Sequence, residues 1–292
     1  MEYKFYDNKF DNMGRYYDII RNAMGILGYK ESKKPTIHFY NHISNPDRKK
    51  NILIVKPTAP TAKHFAIDPW GYANDSQLAY EEPDWMNPFD YTMNIRDNRA
   101  YVQNLITNRA NKWDDSILLK WKDSKNIPDD HILVIGQMPD DETVHGFGFG
   151  DHIVKLKMIV KKLQGRNVVI KLHPRYKNPV LVKQWEDAGH IVITGYQSIH
   201  SVLPKTRVAI IDNSTAGIEC MMHSVPTISY GWPEYHWVTQ KLQTLSQLND
   251  LLKLDWYSPT EQEMFLHWYI NRYLCKDVES TTHRLSNILW KT

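Results

Sequence analysis

From residue 131 onward the sequence alternates short apolar runs with segments of helical spacing, and no other feature restricts the fold as much. Residues 131–135, 167–172, 191–194 and 208–211 are Val/Ile-rich and read as strands. Between them, 151–163, 179–189 and the shorter 199–203 place apolar residues at helical intervals. Strand, crossover helix and strand in repetition predicts a mainly parallel sheet with right-handed crossovers, whose ligands lie at the carboxyl ends of the strands.

Polar clusters follow three of these runs. Gly136-Gln137 leads into Asp140-Asp141-Glu142 after the first; His173-Pro174-Arg175 follows Lys171 at the end of the second; Asn213-Ser214-Thr215 follows 208–211. The last opens the stretch 208–235, which reads as strand, turn, helix and strand, with Pro226 closing the helix. Ser214 and Thr215 fall at the helix start, where hydroxyls and free N–H groups suit a phosphate. Glu219, one turn on, is placed to accept hydrogen bonds from ribose hydroxyls. The plain alternatives are a capped helix with a solvated glutamate and, for Asp140-Asp141-Glu142, a surface acidic run.

The first half has weaker periodicity. A helix over 16–27 and strands over 36–40 and 51–55 are expected, the last preceded by the basic turn Asp47-Arg48-Lys49-Lys50. Residues 61–76 gather His64, Asp68, Trp70, Tyr72 and Asp75 around Pro69 and Gly71, the composition of a ligand-reading loop. Asp68 before Pro69 equally suits a simple turn. A helix follows over 101–119, and Pro128-Asp129-Asp130 reads as a linker, dividing the chain into 1–128 and 129–262. Helical segments at 239–253, 260–275 and 280–290 end the chain, and 263–292 could cross back onto the first domain.

Ten Trp and seventeen Tyr are a high aromatic load, which suits stacking on sugars or bases, although such rings more often fill cores. The net charge of +3 is compatible with an anionic ligand without choosing its size. Two cysteines are too few for a disulfide framework and suit a reducing compartment. There is no apolar run of about 18 residues and no leader pattern, so a cytoplasmic protein without a transmembrane segment is expected. The thirteen histidines show no zincin spacing, so no metal is expected. Gly146-Phe-Gly-Phe-Gly150 lacks both the dinucleotide and the P-loop spacing and reads as a flexible, lid-like loop.

Three segments, GQMPDDETV at 136–144, KLHPRY at 171–176 and NSTAGIECMMHSVPTISYG at 213–231, together resemble the capsule polysaccharide glycosyltransferases, especially the bacterial capsule β-Kdo transferases. They are similar to that family's G-Q-x-x-x-D, K-x-H-P and S-S/T-x-G-x-E-A-x-x-x-G-x-P motifs, in the same order. HFAIDPWGYANDSQL at 64–78 is more loosely similar to a fourth segment. Cys220 stands where the family has Ala, and Ser224 where it has Gly.

The resemblance implies a GT-B fold: two Rossmann-like α/β domains facing a cleft, the C-terminal one holding the nucleotide-sugar donor and the N-terminal one the acceptor. It implies that Ser214, Thr215 and Glu219 hold the nucleotide of a CMP- or UDP-linked donor and that His173 contacts its phosphate or the departing oxygen; Asn213, Lys171 and Arg175 are further donor-binding candidates. Gln137 and Asp140 or Asp141 would face the sugar and acceptor, and His64, Trp70 and Tyr72 would lie on the acceptor side.

The chemistry agrees from below. Breaking a glycosyl-phosphate bond needs hydrogen-bonding or positive groups on the leaving phosphate, which His173, Arg175, Lys171 and a helix start supply without metal or cofactor. Deprotonating an acceptor hydroxyl needs a base, for which Asp140, Asp141 and Asp68 are candidates. The acceptor expected is a saccharide or glycolipid. A hydroxymethylated DNA base is the second acceptor class, and a non-catalytic nucleotide-sugar-binding module is a third reading.

Overall fold

The computed structural model describes residues 1–6, 13–41, 43, 47–49, 51–86, 88–111, 126–144 and 151–290. The N-terminal half contains β1 (Glu2–Tyr6), α1 (Gly14–Ile26), β2 (Lys30–Glu31), β3 (Ile37–Asn41), β4 (Ile52–Pro57), β5 (Phe65–Asp68) and α2 (Pro88–Thr107). The C-terminal half runs β6 (His131–Ile135), α3 (His152–Lys162), β7 (Val168–Lys171), α4 (Pro179–Asp187), β8 (Ile191–Ile193), β9 (Thr206–Ile211), α5 (Ala216–Met222), β10 (Thr227–Ser229) and β11 (Gln240–Lys241). Then come α6 (Leu248–Leu251), α7 (Pro259–Trp268), a π turn over Tyr269–Tyr273, β12 (Leu274–Cys275) and α8 (Val278–Leu289).

The C-terminal sheet is parallel throughout, in the order β11-β10-β9-β6-β7-β8. Counted along the chain this is the doubly wound dinucleotide-fold order, and its switch point lies between β6 and β9. Every residue of β6 and β7 is buried, as strands covered on both faces must be. The flanking helices are well specified: Asp151 accepts the N–H groups of Ile153 and Val154 at the start of α3, whose last turn carries Lys161 and Lys162. Asn178 caps α4, and Pro179 occupies its first turn.

The N-terminal sheet, in the order β12-β5-β4-β3-β1-β2, differs at one edge. β1 to β4 are mutually parallel, but β5 runs antiparallel to β4, because the seven residues of the 58–64 connection are too few for a crossover helix. The chain returns at its end: β12 pairs with β5, and α8 packs on α1 beside a core that includes Tyr17, Ile20, Phe39, Leu53 and Leu285. Residues 240–241, inside a segment expected to be helical, instead form edge strand β11 against β10.

A second apolar cluster spans both halves, joining Ala59, Ala66, Leu78 and Trp85 to Ile135, Ile211, Ile218 and Phe265. Arg99 of α2 adds a two-pronged ion pair to Glu263 of α7, at 2.5 and 2.8 Å. The cleft between the sheets is thus held from behind by a continuous core.

Candidate functional site

The strand ends of the C-terminal sheet lie level. Ile135 is in register with Lys171 on one side and Ile211 on the other, and Ile211 with Ser229. The residues that follow, Gly136-Gln137, Leu172-His173, Asp212-Asn213 and Tyr230-Gly231, therefore emerge along one edge at the switch point. A buried hydrogen-bond network joins these loops. The Gln137 N–H donates to His152 Nε2 at 3.0 Å, which fixes the tautomer, so His152 Nδ1 carries the proton and donates to Asp212 Oδ2 at 2.9 Å. Gln137 Oε1 accepts the Asn213 N–H at 2.6 Å, Asn213 Oδ1 accepts the Trp232 N–H at 2.6 Å, and Asn213 Nδ2 donates to the Thr143 carbonyl. Sequence reasoning missed His152 and Asp212, since residues sixty apart carry no local signal of pairing.

On the α5 side of this edge is a pocket lined by Lys171, His173, Ser214, Thr215 and Glu219, together with Gln197 and Asn111. Lys171 is the residue that stands out. Its ammonium is buried, and Nζ has no hydrogen-bond partner among the described residues. Burial pushes its pKa down to about 8, against the opposing pull of Glu219. A buried ammonium with no hydrogen bond is costly, and a bound anion would offset that cost. His173 Nδ1 accepts the Arg175 N–H at 3.2 Å, so the ring proton resides on Nε2. The helix start contributes less than the sequence suggested: α5 has seven residues, Thr215 makes no side-chain cap bond, and Ser214 Oγ accepts the Ala216 N–H at 3.2 Å.

The segment after β10 ties this pocket to the N-terminal half. Tyr235 donates to the Ser214 carbonyl, and its ring lies so close over Gly217 that a Cβ there would clash with it. Trp232 Nε1 and His236 Nε2 both donate to the Ala79 carbonyl, at 2.8 and 3.0 Å, and Trp237 Nε1 donates to the Leu78 carbonyl at 2.8 Å. Between these anchors, Glu234 lines a small cavity with Asn213 and Thr215 on one side and Lys56, Thr58 and Tyr72 on the other.

The acceptor-side candidates divide. Tyr72 lines that cavity, with the Lys56 ammonium 3.6 Å above its ring. Trp70 is half-buried under the Arg48 guanidinium, at 3.7 Å. His64 is a correction: it is buried between Thr61 Oγ1 at 2.7 Å and Tyr101 Oη at 3.3 Å, and burial lowers its pKa to about 4, so it is a neutral core group.

Asp68 is another correction. Its Oδ1 accepts the N–H groups of Trp70, Gly71 and Gln77, its Oδ2 accepts the Tyr273 hydroxyl, and it is buried, so it organises a turn and lines neither the pocket nor the cavity. Asp141 accepts the Thr143 N–H and hydroxyl at 3.0 and 2.7 Å, while Asp140 and Arg175 are exposed. The 146–150 loop lies outside the described residues.

One family profile matches the sequence, and solved structures match the fold. The profile of a family described as "Capsule polysaccharide biosynthesis protein" matches residues 73–270. A search of curated proteins by sequence finds no match. Among solved structures, Thermosulfurimonas dismutans KpsC, beta Kdo 2,4 transferase, aligns with a TM-score of 0.56 at 14% identity, covering 94% of this chain and 91% of that one. The beta Kdo 2,7 transferase of the same KpsC aligns with a TM-score of 0.53 at 15% identity, covering 98% and 99%. The two-domain GT-B arrangement is common to all three.

Proposed function

Because the chain belongs to the capsule polysaccharide biosynthesis protein family, we propose that it is a glycosyltransferase, moving a sugar from a nucleotide-sugar donor to a hydroxyl of a saccharide or glycolipid. The observation that carries this reading is Lys171, a buried ammonium with no hydrogen-bond partner among the described residues, in a pocket shared with His173, Ser214, Thr215 and Glu219. In this reading Lys171 and the Nε2–H of His173 hold the donor phosphate, and they stabilise the charge that collects on it as the glycosyl bond breaks. This reading calls on no metal ion or cofactor. Ser214 and Thr215 add hydroxyls, and Glu219 accepts the ribose hydroxyls of a CMP- or UDP-linked donor. Gln137 and Asn213 act through the loops they join, holding the pocket's shape so that the positive groups are preorganised. Asp140 and Asp141 lie on the loop after β6, where they would meet the sugar.

Kdo transfer, the activity named for both solved structures, favours an enzyme over a binding module. Among the described residues no helix is long and apolar enough to cross a membrane, and two buried free cysteines suit a reducing cytoplasm.

A panel of CMP-, UDP- and GDP-sugars, read by thermal stabilisation, tests the proposal. A ligand at 100 times its Kd adds about 2.7 kcal/mol. One nucleotide class should stabilise the wild-type protein, and Lys171→Met should bind it about 10- to 100-fold more weakly, the loss of a hydrogen bond to a charged group. No stabilisation by any of the three classes would refute the reading.

A further inference from the structure

Two carboxylates line the donor pocket and the adjoining cavity among the described residues: Glu219, beside Lys171, and Glu234, on the other side of Thr215. The second has no role in the reading above. Glu234 follows β10 in the segment that ties the donor turn to the N-terminal half, and its cavity is walled by Asn213 and Thr215 of the donor side and by Lys56, Thr58 and Tyr72 of the acceptor side. Half-buried Lys56, Ala73 and Thr215 form the part of this wall nearest the solvent. The cavity volume is about 20 Å³, enough for one water molecule or one hydroxyl group. In a two-domain transferase, the acceptor oxygen must meet the sugar between the donor phosphate and the opposite domain.

We propose that Glu234 is the general base of the transfer, taking the proton of the acceptor hydroxyl, or of a water in its place, that occupies this cavity. The proposal rests on the transferase reading. The acceptor oxygen bonds to the anomeric carbon, and its proton passes to a Glu234 carboxylate oxygen. The bond from that carbon to the phosphate oxygen breaks, leaving its electron pair on the nucleotide.

The surroundings of Glu234 suit the task. Burial raises its pKa to about 7, where a base is both substantially ionised and able to hold a proton. Four other groups bear on it. The Tyr269 hydroxyl of the π turn donates to Oε1, the Ala73 N–H donates as well, and Lys56 of β4 draws the pKa down, while Asp68 of β5 raises it. Tyr269 and Ala73 orient the carboxylate and each lowers its pKa, but burial outweighs them and leaves it basic. A glutamate serving only as a hydrogen-bond acceptor for Tyr269 could be a glutamine.

That substitution is the test. The probe is whichever nucleotide sugar most raises the melting temperature of wild-type protein in the panel above, with water as the acceptor and release of free sugar as the signal. Glu234→Gln should bind the nucleotide within about twofold of wild type yet hydrolyse the donor at least about 100-fold more slowly, the usual loss on removing a general base. Wild type should lose rate as pH falls through about 7, because its base protonates, and Glu234→Gln should lack that limb. Glu234→Asp, which keeps a shortened carboxylate, should retain the limb and a faster rate than the glutamine variant. Wild-type rates in Glu234→Gln, or a glutamine variant as fast as the aspartate one at equal melting temperature, would overturn the proposal while leaving the transferase reading standing. Failure of the wild-type protein to bind any of the nucleotides would remove both.

Discussion

Lys171 and Asp68 occupy similar places in the sequence, each closing an apolar strand, and they end in opposite circumstances. Lys171 closes β7, is buried, and has no hydrogen-bond partner among the described residues. Asp68 closes β5 and is held by three N–H groups and a tyrosine hydroxyl. Strand direction makes the difference. In the parallel C-terminal sheet all carboxyl ends share one edge, so a polar residue there enters the cleft. β5 is antiparallel to β4, with Phe65 opposite Pro57 and Asp68 opposite Ile54. Its carboxyl end therefore recedes from the edge where β4 ends, and Asp68 serves the scaffold.

The sharpest way to break this comparison is to remove the scaffold carboxylate. Asp68→Ala leaves three backbone N–H groups and the Tyr273 hydroxyl without their acceptor in a buried site, and should cost about 3 to 5 kcal/mol of stability. Asp68→Asn keeps an acceptor for the N–H groups and should cost about 1 kcal/mol. Denaturant titration with both variants checks this; an alanine variant of wild-type stability would return Asp68 to the list of candidate bases.

The same contrast explains what could be read from the sequence. The parallel half announces itself because each strand is a buried apolar run and each crossover a periodic helix. The helix and strand over 179–189 and 191–194 and the polar clusters at 136–137, 173 and 213–215 accordingly fall where the periodicity put them. Strand direction has no local signature, so Asp68 and His64 looked like ligand-loop residues. Two-residue strands such as β11 are too short to show a period, and its stretch read as helix. The bonds from Trp232, His236 and Trp237 to the carbonyls of Leu78 and Ala79 link residues more than 150 apart, and only the folded chain reveals them. Their ring N–H groups do show why an aromatic-rich composition need not mean a stacking surface.

Lys171 sharpens the comparison from the other side, because a functional charge held in a dry pocket should burden the fold. Its pKa falls from 10.5 to about 8 through burial, a difference of about 3 kcal/mol between the two protonation states at 1.36 kcal/mol per pH unit. Between those two values the unfolded chain holds the proton and the folded chain does not, so stability rises with pH across about 8 to 10.5. Below about 8 the burden is complete. Lys171→Met should accordingly be more stable than wild type at pH 7, by about 1 to 3 kcal/mol, with the gain reduced because Glu219 loses its neighbouring charge. The advantage should fade from pH 8 to 10.5. Melting curves across that range, set beside nucleotide titrations, check both halves: more stable, and poorer at binding.

The smallest effect concerns Ser224, at the end of α5, where the related motif has glycine. The chain leaves the helix with Val225 N–H bonded to the Cys220 carbonyl and Ser224 N–H to the Met221 carbonyl, each at 2.9 Å, the paired bonds of a left-handed helix stop. Such a stop needs a positive φ, and Ser224 has φ of 53°. A residue with a Cβ adopts that conformation at a cost of about 1 kcal/mol, which glycine avoids, while glycine's freer unfolded chain returns part of the gain. Ser224 is exposed and far enough along α5 that its side chain does not line the donor pocket. Ser224→Gly should therefore raise stability by a few tenths to about 1 kcal/mol and leave nucleotide affinity unchanged. A loss of stability would mean that the Ser224 side chain contributes a contact that outweighs the backbone cost, and the family's glycine would then need an explanation other than helix termination.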